Sequence, residues 1–422
     1  MDLIIRNANL PDGRLGIDIG IKDEKIVVLE EGLIAGSSRE IDASGSLVTP
    51  PFVDAHFHMD ATLSLGKPRM NKSGTLLEGI ALWGELKPDL TVEAIKERAL
   101  KYCDLAVARG LLGIRSHVDI CDPRLLAVDA LLEVKKEVSS YLDLQLVAFP
   151  QDGFFRSPNA EELLKTALDR GVDVVGGIPH FERTMEEGKK SVEVLCRIAA
   201  DRGLQVDMHC DESDDPLSRH IETLSIETVK HGLQGQVTGS HLTSMHSMDN
   251  YYVSKLLPLM LEAEMNVVSN PLINISLQGR HDTYPKRRGL TRVPELIGIG
   301  LKVAFGHDCV MDPWYSLGSA DMLEVANMGL HVAQLTGMEQ MKSCFSSITE
   351  VPAAILGLEG YGIEKGCNAD LVILQASNPI EAIRLKANRL FVIRRGEVIS
   401  SSSPVEATLN LKGRPKIQNY LF

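Results

Sequence analysis

Between residues 48 and 348 the chain alternates short apolar runs with amphipathic helical segments eight times, and few folds accommodate that pattern. The runs cover residues 52–58, 113–118, 144–149, 172–178, 204–208, 237–240, 266–269 and 302–305, and helix-like stretches between them include 92–109, 124–138, 160–170 and 216–230. Strands joined by helical crossovers pair in parallel, and eight such units close into a (β/α)8 barrel. Six consecutive runs end in a polar residue, Gln151, His180, His209, His241, Asn270 and Asp308, recurring roughly every thirty residues. Both chain ends read differently. Residues 1–47 and 349–422 carry short β-patterned runs broken by Gly and Asp turns, at 3–5, 17–21, 25–29, 369–374, 390–393 and 395–399. The expectation is an α/β chain with a TIM-type barrel over 48–348 and one small β-sandwich built from 1–47 plus 349–422.

In such barrels chemistry sits at the C-terminal ends of the strands. Here those ends carry His56 and His58, His117, Gln151, His180, His209, His241 and Asp308. Side chains alternate faces along a strand, so His56 and His58 point the same way and can close on one divalent cation. His209 precedes Glu212 by three residues, which lets one stretch supply both a ligand and a separate proton carrier. Three imidazoles and a carboxylate such as Asp308 suit zinc or ferrous iron and leave a position for water, whose pKa the cation lowers towards neutrality. His117 and His180 are expected to be supporting or core histidines. Asp60 and Asp119, each two residues beyond a strand-end histidine, are candidates to orient those imidazoles.

A net charge of −13 argues against nucleic acid as a partner. No apolar run reaches membrane-spanning length, and the N-terminus lacks a basic start followed by an apolar core. The seven cysteines are scattered, with no Cys-x-x-Cys pair, so disulfides and a thiolate zinc site are not expected, and the cytoplasm is the expected compartment. The basic stretch Tyr284-Pro285-Lys286-Arg287-Arg288 reads as a solvated loop or a subunit contact.

The ordered segments Pro50-Pro51-Phe52-Val53, His56-Phe57-His58, Phe149-Pro150-Gln151, Ile178-Pro179-His180-Phe181-Glu182, His209-Cys210-Asp211-Glu212, Ser240-His241, Gln278-Gly279-Arg280, Asp282 to Gly289, Phe305-Gly306-His307-Asp308 and Asp312-Pro313-Trp314 carry a resemblance. The chain resembles the amidohydrolase superfamily, and within it the bacterial cytosine deaminases. That resemblance implies one divalent metal, zinc or iron, on His56, His58, His209 and Asp308. Two-metal relatives usually need a lysine late in the fourth strand, and residues 174–180 contain none. Glu212 is implied as the proton shuttle, His241 as a residue that hydrogen-bonds and polarises the attacking hydroxide without ligating the metal, and Asp308 as ligand and base. Gln151 is implied to hold the substrate's amide edge, with Phe149 and Trp314 walling a flat pocket. A homo-oligomer and a free nucleobase substrate follow from the same resemblance.

The implied reaction is deamination of a cytosine-type base. The alternatives are the same chemistry on another cyclic amidine, such as creatinine or isoguanine, or cyclic-amide hydrolysis of the dihydroorotase or hydantoinase kind. One departure bears on substrate. The resembled deaminases usually carry two consecutive aspartates where this chain has Asp308-Cys309. A neutral thiol in place of the second carboxylate leaves room for a methyl, so 5-methylcytosine is expected to be accepted at least as well as cytosine.

Overall fold

The computed structural model describes residues 1–414 and the backbone of residues 417 and 418. Eight strands pair in parallel in chain order: Phe52–Phe57, Leu111–Asp119, Asp143–Phe149, Val174–Gly177, Gln205–Cys210, Val237–His241, Asn266–Ser269 and Lys302–Phe305. A bridge between Phe57 and Asp308 closes the ring. At that seam the Asp308 N–H donates to the His56 carbonyl at 2.8 Å, and the His58 N–H donates to the Asp308 carbonyl at 3.0 Å. Closure of the barrel is therefore what brings the first and last strand ends together.

The crossover helices follow local rules. Val92–Ala108 begins where the Thr91 hydroxyl accepts the Ala94 N–H, and it buries Ile95, Ala99, Tyr102, Cys103 and Ala106 along one stripe. Met185–Arg202 starts at Thr184 in the same way and stops at Gly203, whose φ of 64° ends the helix in the left-handed region. Units of this kind bury one large cluster of aliphatic and aromatic side chains between strands and helices.

The barrel floor is unusually polar. Arg115 is fully buried, with its guanidinium donating to Gln145, Gln205, Asp207 (3.1 Å) and the Ile355 carbonyl. The helix Glu350–Leu356 seals that end, with Ala353, Ile355 and Leu356 packed on Val53, Ala55, Val268 and Ala304. This helix lies beyond residue 348, where the sequence sets the end of the barrel, yet its apolar face belongs to the floor.

Both chain ends supply sheets. Leu3–Ala8, Ile17–Lys22, Lys25–Glu31 and Glu40–Asp42 form one four-stranded sheet, and Leu47–Thr49, Leu371–Leu374, Arg389–Arg394 and Glu397–Ser401 form another. Their inner faces share one apolar core, in which Ile5, Ile19 and Ile26 meet Leu371, Ile373 and Ile393. Among the described residues no helix is long and apolar enough to cross a membrane.

Candidate active site

The strand ends gather five imidazoles. His56 lies at the centre, its ring centroid 4.2 Å from His117, 4.5 Å from His209 and 4.8 Å from His241, with His58 at 5.6 Å. His58 Nε2 and His209 Nε2 are 3.0 Å apart. Asp308 reaches the same point from the last strand, its Oδ1 standing 3.5 Å from His58 Nε2 and 3.7 Å from His56 Nε2. Burial holds His56, His58, His209 and His241 well below the usual histidine range, so these rings are neutral and offer lone pairs. The opposite holds for Asp308, which burial and then the Glu212 carboxyl push well above the usual carboxylate range.

Three of the strand exits leave regular geometry. Asp211, His241 and Asp308 have φ of 51°, 72° and 70°. A non-glycine residue in that region costs on the order of 1–3 kcal/mol and persists where surrounding bonds over-determine it. Here the Leu242 N–H donates to the Cys210 carbonyl at 3.0 Å, and the closing bridge grips Asp308. Asp211 is gripped as well. It accepts from the His220 and Ile221 backbone N–H groups and from Ser218, which anchors the loop bearing Glu212.

The donor set fits a divalent cation. Both ring nitrogens of His56 and the Nδ1 of His209 are buried without a hydrogen-bond partner, an arrangement that costs free energy unless a cation takes the lone pairs. An ionised Asp308 in the same enclosure also needs positive charge beside it. Among the described residues two overlapping groups of four satisfy ligand spacing: His56, His58, His117 and His209, or His56, His209, His241 and Asp308. The sequence set of His56, His58, His209 and Asp308 draws on both.

Above the cluster opens a cavity of about 200 Å³. Its lining contains His58, Gln151, His209, Glu212, His241, Asp308, Cys309 and Trp314, all singled out in the sequence, and His180, expected to be a supporting or core histidine, is half-buried and lines it too. Glu212 is buried in it, and burial alone pushes its carboxyl up to about 8. Cys309 joins Ile273 and Leu277 in a small apolar cluster against which Leu76, Trp314 and Tyr315 pack. Its thiol is raised well above the usual range by burial, so it remains neutral.

Phe149 departs from expectation. Its ring is fully buried and stacks on the His209 imidazole at 4.2 Å and 19°, so it backs that imidazole and does not line the cavity. The third strand ends at Phe149, and the following Pro150 turn carries Gln151 to the surface of the cavity one layer higher. His56 likewise lies beneath the cavity, within the cluster. Asp60 and Asp119 make no bond to an imidazole. Asp60 accepts the Asp119 N–H at 2.9 Å, while Asp119 accepts Trp83 Nε1 at 2.8 Å and pairs with Lys87 at 2.7 Å. Lys87 also pairs with Asp152, beside Gln151. His117 instead faces a carboxylate from below, with its Nε2 3.5 Å from Asp207 Oδ1.

The cavity roof was not read from sequence. Helix Leu76–Leu86 lies over the opening and contributes Leu76, Leu77 and Ile80. The Trp83 bond to Asp119 fixes this helix to the second strand, and Trp314 lies against its Gly79. The one available signal was the buried set Gly79, Leu82, Trp83 and Leu86 at helical spacing, hidden by the two glycines 79 and 84 within the segment.

Residues 39–409 match the amidohydrolase family. The chain belongs to that family. A relative within reach by sequence is N-isopropylammelide isopropyl amidohydrolase of Pseudomonas sp. (strain ADP), 32% identical over 413 residues, with 96% of this chain and 99% of the relative covered. Pterin deaminase of Rhizobium rhizogenes is 27% identical, over 93% of this amidohydrolase and 90% of that protein. Among solved structures, 5-methylcytosine deaminase from Klebsiella pneumoniae liganded with 5-fluorocytosine superposes with a TM-score of 0.94 at 42% identity, covering 96% of this chain and 99% of that one.

Proposed function

We propose that this amidohydrolase hydrolytically deaminates a cytosine-type base, 5-methylcytosine above all, with one divalent cation held by His56, His58, His209 and Asp308. The observation that carries the reading is the convergence of Glu212, His241 and Asp308 on one cavity that also presents Gln151 and the neutral thiol of Cys309. The 42% identity to a 5-methylcytosine deaminase supports it. A zinc or iron ion in this donor set supplies the Lewis acidity that lets water attack at neutral pH.

The residues then divide the work. Water adds to the amidine carbon, and its first proton goes to a Glu212 oxygen. Burial raises the Glu212 carboxyl above the usual carboxylate range, which favours its holding a proton between the two transfers. Glu212 delivers the proton to the adjacent ring nitrogen. His241 donates a hydrogen bond to the attacking oxygen, and Asp308 accepts the second water proton. That proton passes to the exocyclic amine, the C–N bond breaks, and ammonia leaves as the carbonyl forms. Gln151, with one donor and one acceptor on its carboxamide, suits the amide edge of the base. Trp314 closes over the flat ring, and Cys309 with Ile273 and Leu277 offers an apolar wall to a 5-methyl group.

The test is ammonia release by the metal-loaded protein from cytosine, 5-methylcytosine, isoguanine and creatinine. Turnover of the two pyrimidines with little from the others is expected. Release from creatinine or isoguanine alone would replace the substrate assignment, and release from none would reject deamination of these bases.

A further inference from the structure

His241 could act in either of two neutral forms, and its neighbours select one. The ring ends the sixth barrel strand and is almost fully buried. Its Nε2 faces the cluster, 3.9 Å from Asp308 Oδ2, and its Nδ1 faces the short helix Pro271–Leu277 and the Glu212 carboxyl. There the Asn274 amide nitrogen lies 2.9 Å from His241 Nδ1.

The orientation of that carboxamide is decided by a third group. Asn274 Oδ1 accepts the Asn270 backbone N–H at 3.1 Å, and a backbone N–H can only donate. The atom presented to His241 is therefore the NH₂, which has no lone pair to share. A donor on Nδ1 requires that Nδ1 be unprotonated, so the single proton of the neutral ring sits on Nε2. Two other groups approach without altering this. Asn270 Nδ2 is almost equidistant from the two ring nitrogens, at 3.3 and 3.4 Å, so it favours neither form. Glu212 Oε1 stands 3.5 Å from Nδ1, farther than Asn274.

We infer that Asn274 is a positioning residue that locks His241 as the Nε2–H tautomer, so that His241 enters the site as a hydrogen-bond donor and is withheld from the cation. This rests on the role given to His241 above. It also discriminates between the possible ligand groups, because a protonated Nε2 removes His241 from the second of them and leaves His58 to complete the set. The donor is aimed before substrate arrives. An N–H fixed where negative charge develops needs no reorganisation during reaction.

The experiment is nitrogen NMR of the zinc-loaded protein with labelled histidine, the His241 signals being assigned by their loss in His241→Gln. The parent should give a protonated Nε2 and an unprotonated Nδ1. Asn274→Asp keeps the size but replaces the donor with an acceptor, and should invert the two nitrogens. Asn274→Leu removes the donor without adding an acceptor, and should give a mixture. With zinc content unchanged, kcat for the base should fall on the order of 10²-fold in Asn274→Asp and less in Asn274→Leu, with KM moving little. A purely structural role predicts equal losses and no inversion. A protonated Nδ1 in the parent overturns the inference, whether or not either variant folds. A protonated Nε2 together with undiminished turnover in His241→Gln would uphold the tautomer and reject the catalytic role of His241.

Discussion

Gly79 sets how closely the cavity roof can approach Trp314. A Cβ built on Gly79 lies 2.8 Å from both Cγ and Nε1 of Trp314, and nearer still to Cδ1. Ordinary carbon contacts are ~3.5–4.0 Å, so Gly79→Ala requires the ring and helix to part by about 1 Å. Trp314 has little freedom to retreat, because Trp83 and His58 lie 6.1 and 6.2 Å from it, and Trp83 is tied to Asp119. Overpacking of this kind costs ~1–3 kcal/mol, and replacing glycine by alanine inside a helix returns ~1 kcal/mol. The net destabilisation should therefore be ~0–2 kcal/mol, a loss of a few degrees in thermal midpoint. The displaced ring should act mainly on binding, raising KM for the base on the order of tenfold while kcat changes less. The assay is steady-state kinetics and thermal unfolding of Gly79→Ala, Trp314→Phe and the double variant, whose smaller ring should recover part of the loss. Unchanged KM in Gly79→Ala, or strictly additive losses in the double variant, would refute the close-packed roof.

Three further outcomes follow from the same site. Glu212→Gln should keep one cation per chain while kcat falls by roughly 10² or more, and loss of metal or near-normal turnover would remove the shuttle role. In the metal-free protein, burial raises Glu212 from 4.5 to about 8, so the folded state binds more protons than the unfolded state across that window. The stability this group contributes is present below pH 4.5 and is lost as pH rises through 8; metal-free Glu212→Gln should gain thermal midpoint over the parent between pH 5 and 8, and a difference flat with pH would contradict it. Asp308→Ala should weaken metal retention and abolish turnover together, whereas full occupancy measured by metal analysis against a chelator would exclude it as a ligand.

The barrel was legible because its eight strands are apolar runs with a regular spacing, and the site was legible because strand ends are where polar residues interrupt that pattern. His56, His58, His209, His241 and Asp308 all announced themselves in this way. What stayed hidden depends on contacts between distant segments. Arg115 sits in an apolar run, and nothing local says that Gln145, Gln205 and Asp207 from two other strands will satisfy it on the barrel floor. Phe149, which the resemblance implies as a pocket wall, lies one layer lower because it still belongs to the third strand and the turn after it carries only Gln151 to the cavity. Asp119 bonds Trp83, from a helix that glycines conceal, and Lys87, in the turn just after it. Asn270 and Asn274 stand four apart after the seventh strand, a spacing that puts them on one side of a helical turn. Only the fold reveals that His241 lies beside them.

The proposed function requires a cavity that accepts a cytosine-type ring and a Cys309 wall open to a 5-methyl group. The most direct measurement is kcat/KM for 5-methylcytosine and for cytosine, in the parent and in Cys309→Asp. Burying one methyl contributes roughly 0.8 kcal/mol, which is about fourfold in the ratio. The parent should process 5-methylcytosine at least as well as cytosine, and Cys309→Asp should move the ratio towards cytosine by that factor or more. A parent that strongly prefers plain cytosine, or a ratio that the aspartate leaves unmoved, would contradict the account.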